Sequence, residues 1–218
     1  MPAMPPQGFR AVSETVVKKS RFIATVARCD TQPEARALVD EARHTYPDAR
    51  HHCSAWLIDD DGTTTSHTSD DGEPAGTAGM PMLKALLNAN LVSVAVVVTR
   101  YFGGVKLGAS GLTRAYSTAV AAAIRDMPRV IRQERQLWAL DAPHAEAAKI
   151  ADELIRAGGM ITEQTHDENT TSIVFVFDGD PAALVARSTQ GANHARLVGT
   201  YRCEPLRDDV KPPLGSVA

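Results

Sequence analysis

Residues 91–98 are almost continuously apolar, and five of the eight are valine. A run this short cannot span a membrane, and its β-branched content predicts a strand buried on both faces. From Leu112 the spacing changes. Leu112, Ala115, Tyr116, Ala119, Ala123 and Ile124 recur every three or four residues, the apolar face of an amphipathic helix. Upstream, the proline-rich first residues read as frayed, and residues 11–18 and 22–27 predict two strands, the first at a sheet edge. Thr31 and Glu34 have capping-box spacing with Pro33 in the first turn. The helix they open carries Ala35, Leu38, Val39, Ala42 and Tyr46 on one face, and Pro47 stops it. Residues 52–58 and 63–68 flank an Asp-rich turn and predict a hairpin. Pairing Ile58 with Thr63 sets His51 opposite Asp70 and His52 opposite Ser69, a register that a slip would change. A further helix starts near Gly79, since Pro81 suits only a first turn, and buries Met82, Leu83, Leu86 and Leu87.

Beyond the charged connector at 129–135 the pattern starts afresh. Residues 136–140 predict a strand, and 144–156 a helix with Ala147, Ala148, Ala151, Leu154 and Ile155 inward and Gly158-Gly159 behind it. Strands at 160–165 and 170–177, a helix over 180–190 and a strand at 195–203 complete a βαββαβ order, the ferredoxin-like split motif. The chain therefore divides into residues 1–128, a connector at 129–135, residues 136–206 and a loose polar tail at 207–218. Its class is α+β.

Composition narrows the function. Hydrophobic residues make up 44% and charged residues 22%, as in globular proteins, and the net charge is −3. A whole-chain basic field for nucleic acid is absent, so any polyanion surface is local. Arginine outnumbers lysine 17 to 6, which suits phosphate recognition or reflects codon bias. Three scattered cysteines (Cys29, Cys53, Cys203) without a CxxC pair argue for a reducing compartment and against structural zinc. The first residues lack the features of a signal peptide. A cytoplasmic location is expected, with no membrane partner.

Two stretches carry the candidate chemistry. Between the valine-rich strand and its helix, residues 99–111 hold Gly103, Gly104, Gly108 and Gly111 with Arg100, Lys106 and Ser110. A glycine-rich loop that opens a helix offers free amides and a positive dipole end to an anion. The spacing matches neither GxGxxG nor GxxxxGK[ST], so dinucleotide and Walker-type binding are rejected. The competing reading is that the glycines only shape a tight connection. The second stretch, residues 69–81, sets Asp70, Asp71 and Glu73 within four residues. These carboxylates either hold a divalent cation or pair with Arg100 and Lys106 across a groove, or else they satisfy turn amides. A His51, Cys53 and Asp70 metal site is a weaker option without an evident fourth ligand. Cys53, in a strand, reads as a buried hydrophobe rather than a nucleophile. Lys18, Lys19 and Arg21 form a small basic cluster, a solvated strand end or a polyanion contact.

These segments resemble the IMPACT/YigZ family, through residues 19–24 (KSRFIA), 51–55 (HHCSA), 69–79 (SDDGEPAGTAG) and 100–112 (RYFGGVKLGASGL). The resemblance runs from about residue 18 to 205 and departs at Ser110, where glycine is expected. It implies a first domain like the second domain of a small-subunit ribosomal protein, a fold shared with GHMP kinases. It also implies a second domain like the fifth domain of elongation factor G. Both relatives touch RNA or ribosomes, and eukaryotic members regulate translation under amino-acid starvation by binding the co-activator of a general-control kinase. The expected protein is a non-catalytic cytoplasmic regulator of translation that binds RNA, the ribosome or a translation-associated protein, with no cofactor. The alternative is a phosphate- or nucleotide-binding enzyme or sensor built on loops 69–73 and 99–111, its small molecule bearing a phosphate. The candidate binding residues are His51, His52, Asp70, Asp71, Glu73, Arg100, Tyr101, Gly103, Gly104, Lys106, Gly108, Ser110, Gly111 and Arg114.

Overall fold

The computed structural model describes residues 2–60, 62–189 and 194–205. In the first unit, Met1–Ile131, the elements are β1 (Arg10–Val17), β2 (Ser20–Arg28), α1 (Gln32–Thr45), β3 (His51–Asp60), β4 (Thr63–Ser69), α2 (Gly79–Asn88), β5 (Val94–Tyr101) and α3 (Gly108–Ala123). The strands form one antiparallel sheet in the order β1-β2-β5-β3-β4, with β1 at an edge. Side-chain alternation along β5 then separates two cores. Val94, Val96 and Val98 pack with Phe22, Cys53, Ala55 and the inner faces of α2 and α3, while Ala95 and Val97 pack with Trp56, Ile58 and α1. The central strand is thus buried on both faces. Thr31 caps α1 in a complete capping box with Glu34.

Several boundaries differ from the sequence expectation, each for a local reason. β5 runs three residues later than 91–98, because Leu91 and Val92 are bridged instead to the chain start through Ala3. Ala3 and Met4 are buried rather than frayed. Arg100 and Tyr101 consequently lie in the strand, not in a loop. α3 starts at Gly108, four residues before Leu112, so the connection shrinks to residues 102–107. The β3–β4 register is Asp60↔Thr63 and Ile58↔Thr65, two residues from the Ile58–Thr63 pairing. Asp59 and Asp60 extend the ladder instead of turning; a slip of two preserves every face. Leu87 lies 54% exposed on the outer side of α2, not in the core.

The second unit, Arg132–Pro205, contains β6 (Gln133–Pro143), α4 (His144–Arg156), β7 (Met160–His166), β8 (Thr170–Val176), α5 (Ala182–Ser188) and β9 (Arg196–Cys203). β6 begins within the stretch read as connector. The sheet is antiparallel in the order β7-β8-β6-β9, the arrangement of a split βαβ motif. Leu140, Ile150, Leu154, Ile173 and Phe175 fill its core. Gly158, at φ +88°, closes α4 in a Schellman motif: Gly159 N–H bonds the Leu154 carbonyl and Gly158 N–H that of Ile155. The tail at 207–218 and the last residue of the helix read over 180–190 lie outside the described residues.

Candidate functional site

The end of the sheet nearest α2 and α3 gathers most of the singled-out residues. Arg100 points to the same face as Val98 and Val96, so its guanidinium enters the core beside Phe22, its register partner on β2. There its Nη1 donates to Glu73 Oε1 at 2.6 Å, and the Tyr116 hydroxyl donates to the same oxygen at 2.8 Å. Both ends of the ion pair are nearly inaccessible, at 7% and 3% exposure for the Arg100 and Glu73 side chains. The guanidinium also lies 5.5 Å from the Phe22 ring centre and 5.7 Å from that of Phe102. The acidic and the strand-end segments therefore do meet, but as a buried latch rather than an open cleft.

The other two carboxylates are engaged by the backbone. Asp70 accepts from the amides of Gly76 (2.7 Å), Ala78 and Gly79 (both 2.9 Å), and so serves the N-terminus of α2 from nine residues before its first residue. Burial raises its pKa, but the three amides outweigh that and hold the carboxyl below its ordinary range. Asp71, at φ +41°, accepts from the His52 amide at 2.6 Å and from Arg43 at 2.9 Å. Its carbonyl lies 2.9 Å from His51 Nδ1, and His52 Nε2 lies 3.1 Å from the Tyr46 carbonyl. Both histidines thus hold loops in place. Gly79 is needed for close approach, since a Cβ there would lie 2.9 Å from the Ser69 nitrogen.

Cys53 lies in the same cluster, with Sγ 2.9 Å from the Asp70 carbonyl and 3.3 Å from the Tyr116 hydroxyl. Burial pushes its thiol up to about 12, against the smaller opposing effect of the Tyr116 hydrogen bond. Such a thiol is not an activated nucleophile. Burial likewise raises the Tyr116 phenol. Among the described residues no three His, Cys, Asp or Glu side chains are grouped to hold a metal ion. The His51, Cys53 and Asp70 grouping therefore does not form.

The glycine-rich loop divides by role. Gly103 is packed on the β1–β2 turn: a Cβ there would lie 2.0 Å from the Lys19 carbonyl carbon, and its amide bonds Ser20 Oγ at 3.1 Å. Gly104 and Gly108 have positive φ with open space around them, and Gly111 lies inside α3. α3 has no side-chain cap. Lys106, Ser110 and Arg114 are exposed, as are Phe102 (57%) and Val105 (44%). Lys106 does not join the Glu73–Arg100 pair. Lys18 and Lys19, both exposed, form the turn that Gly103 rests on. Among the described residues nothing pairs with Lys18, Lys19, Lys106 or Arg114. Tyr101 leaves this group and bonds Asp48 through its hydroxyl at 2.8 Å. The basic turn meeting the loop was not derivable from spacing, since Gly103 gives no local sign of which backbone it touches.

These features define a two-unit α+β protein whose first unit presents a strand–loop–helix site with a neutralised interior and a basic rim. Residues 18–124 match the Impact N-terminal domain. The chain is 35% identical over 180 residues to the IMPACT family member YvyE of Bacillus subtilis, covering 83% of this chain and 82% of the relative. It therefore belongs to the IMPACT family. It is also 46% identical over 112 residues to the family member YigZ of Escherichia coli, covering 51% of this chain and 55% of that one. A solved structure described as a hypothetical protein is 30% identical, with a TM-score of 0.57, and covers 91% of this chain and 98% of its own. The Saccharomyces cerevisiae IMPACT homolog is 33% identical over 129 residues, covering 57% of this chain and 49% of the homolog. A solved structure described as the two-domain translational regulator Yih1 is 28% identical over 55% of this chain and 48% of its own, with a TM-score of 0.37.

Proposed function

We propose that this protein is a non-catalytic cytoplasmic component of translation control that binds structured RNA or a ribosomal surface through the rim of its first unit. The observation that carries this reading is the seating of Gly103 on the Lys19 backbone. It joins Lys18 and Lys19 to the exposed loop holding Phe102 and Lys106, and to Arg114 one turn along α3 from Ser110. Unpaired cations around an exposed aromatic ring, beside an uncapped helix N-terminus, suit phosphate backbones and unstacked bases. Membership of the IMPACT family supports a role in translation. The engaged state of Asp70, Asp71 and Glu73 favours binding over an acid–base or metal-assisted reaction at loop 69–73.

Filter binding of folded RNA and of ribosomes tests the proposal at low salt. The double variant Lys19→Glu/Lys106→Glu is expected to weaken binding about tenfold or more, as loss of two phosphate contacts implies. Absence of binding by the unaltered chain, or equal binding by the variant, overturns the RNA reading. A pull-down in which the variant still retains a translation-associated protein would instead assign the function to a protein surface elsewhere.

A further inference from the structure

A cavity of about 270 Å³ opens at the same end of the sheet, lined by Asp48, Arg50, His51, Arg100, Tyr101 and Phe102. His51 and Arg100 face each other in register across β3 and β5. Arg100 commits Nη1 to Glu73, yet its Nε is buried without any hydrogen-bond partner. An orphaned, charged N–H in a side chain only 7% exposed is uncommon in folded proteins and marks a place where an acceptor is wanted. His51 Nδ1 faces a carbonyl oxygen, which can only accept, so Nδ1 carries hydrogen; in the neutral ring Nε2 is then an acceptor, free for a hydroxyl of a ligand. Arg50 is exposed, and among the described residues nothing pairs with it. Asp48, the one lining carboxylate, already accepts from Tyr101. Phe102 supplies an exposed aromatic wall.

Two guanidinium groups ask for an anion with several acceptor oxygens, the imidazole Nε2 asks for a hydroxyl such as the P–OH of a singly ionised phosphate, and the aromatic wall asks for something flat or apolar attached to it. The volume lies just below the range of about 300–1,000 Å³ usual for small-molecule clefts, room for a phosphate and little more than one ring system. We propose that this cavity binds a phosphate monoester, with the phosphate between Arg50, His51 and Arg100 and the esterified group against Phe102. The lysines of the rim take no part; Phe102 belongs to both surfaces, so Arg50, which the RNA reading does not use, is what distinguishes this site from RNA binding at the rim.

The test is titration calorimetry on the full chain at low ionic strength, with adenosine 5′-monophosphate and inorganic phosphate as probes and adenosine as the uncharged control. The expected result is measurable binding of both phosphate probes and none of adenosine. Arg50→Ala, a change at an exposed side chain, lowers the affinity for adenosine 5′-monophosphate at least about fivefold, as loss of a charge-assisted contact implies. A short RNA with a 5′-phosphate, compared with its 5′-hydroxyl form, separates the sources. An Arg50-dependent preference for the phosphorylated oligomer assigns the site to an RNA end; equal binding of the two oligomers, with the nucleotide still bound, assigns it to a free phosphorylated metabolite. No binding of either phosphate probe at millimolar concentration, equal affinity for adenosine, or an unchanged affinity in Arg50→Ala overturns the proposal.

Discussion

At the scale of single residues, Glu73 holds two buried donors of the first unit at once. It neutralises a buried guanidinium and accepts from a buried phenol, so truncating it strands both donors. Glu73→Ala is therefore expected to cost about 3–5 kcal/mol in urea unfolding, the range for breaking a buried pair from one side. The double variant Glu73→Leu/Arg100→Met is expected to cost less than the sum of its parts, because no charge is then left alone. A strictly additive cycle would mean that the two groups do not sense each other.

The cysteines give a second residue-scale test. Burial raises the thiols of Cys29 and Cys53 to about 11 and about 12. Folding thus favours their protonated forms. That contribution is fully present below the ordinary thiol value near 9 and is lost as pH climbs toward 11 and 12. The urea midpoint is expected to fall across this alkaline window, and to fall less in the Cys29→Ala/Cys53→Ala variant. Native-state alkylation at pH 8 should modify the partly exposed Cys203 first. Fast modification of Cys53 would contradict its placement under α3.

At the scale of elements, the loop between β5 and α3 is built on contact rather than on flexibility alone. Gly103→Ala pushes a methyl group into the β1–β2 turn and is expected to cost about 1–3 kcal/mol and to displace Lys18 and Lys19, lowering RNA affinity as well. Gly104→Ala meets open space and only the strain of its left-handed backbone, about 1–2 kcal/mol, with affinity kept. Thermal unfolding and filter binding on the two variants separate these effects.

The same elements show what periodicity can and cannot reveal. The capping box gave α1, the continuous apolar run gave the doubly buried strand, and helical spacing gave α4, because those signals are local, although Ala148 and Ile155, read as inward on α4, are exposed. The start of α3 was hidden by Gly108 and Gly111, poor helix formers that here occupy its first turn. The β3–β4 register was missed because Asp59 and Asp60 have turn chemistry but sit in extended ladder pairs. Within the site, Asp70, Asp71 and Glu73 were legible as a group, whereas their separate partners were not. Tyr116, spaced as an ordinary core residue, gave no sign that its hydroxyl would bond Glu73. Arg50 and Asp48 carried no motif at all. They face the cavity only because β3 begins directly after them.

At the scale of the whole molecule, the two units each bury a core of their own, filled from separate strands and helices. Residues 1–131 expressed alone are expected to unfold cooperatively and to retain the RNA affinity of the full chain within about threefold, a difference of roughly 0.6 kcal/mol. A fragment that folds but has lost binding would move the interface to the second unit. With a net charge of −3, the molecule has no long-range pull on RNA, and attraction has to come from the few unpaired cations at the rim.

That requirement makes the salt dependence of RNA binding the most direct measurement. With Lys18, Lys19, Lys106 and Arg114 each neutralising one phosphate of a folded RNA, the logarithm of the association constant should fall against the logarithm of salt concentration with a slope of about −3 to −4. Lys106→Glu should make that slope shallower by about one. A slope near zero, or one that Lys106→Glu leaves untouched, would contradict the assignment of this rim as the binding surface.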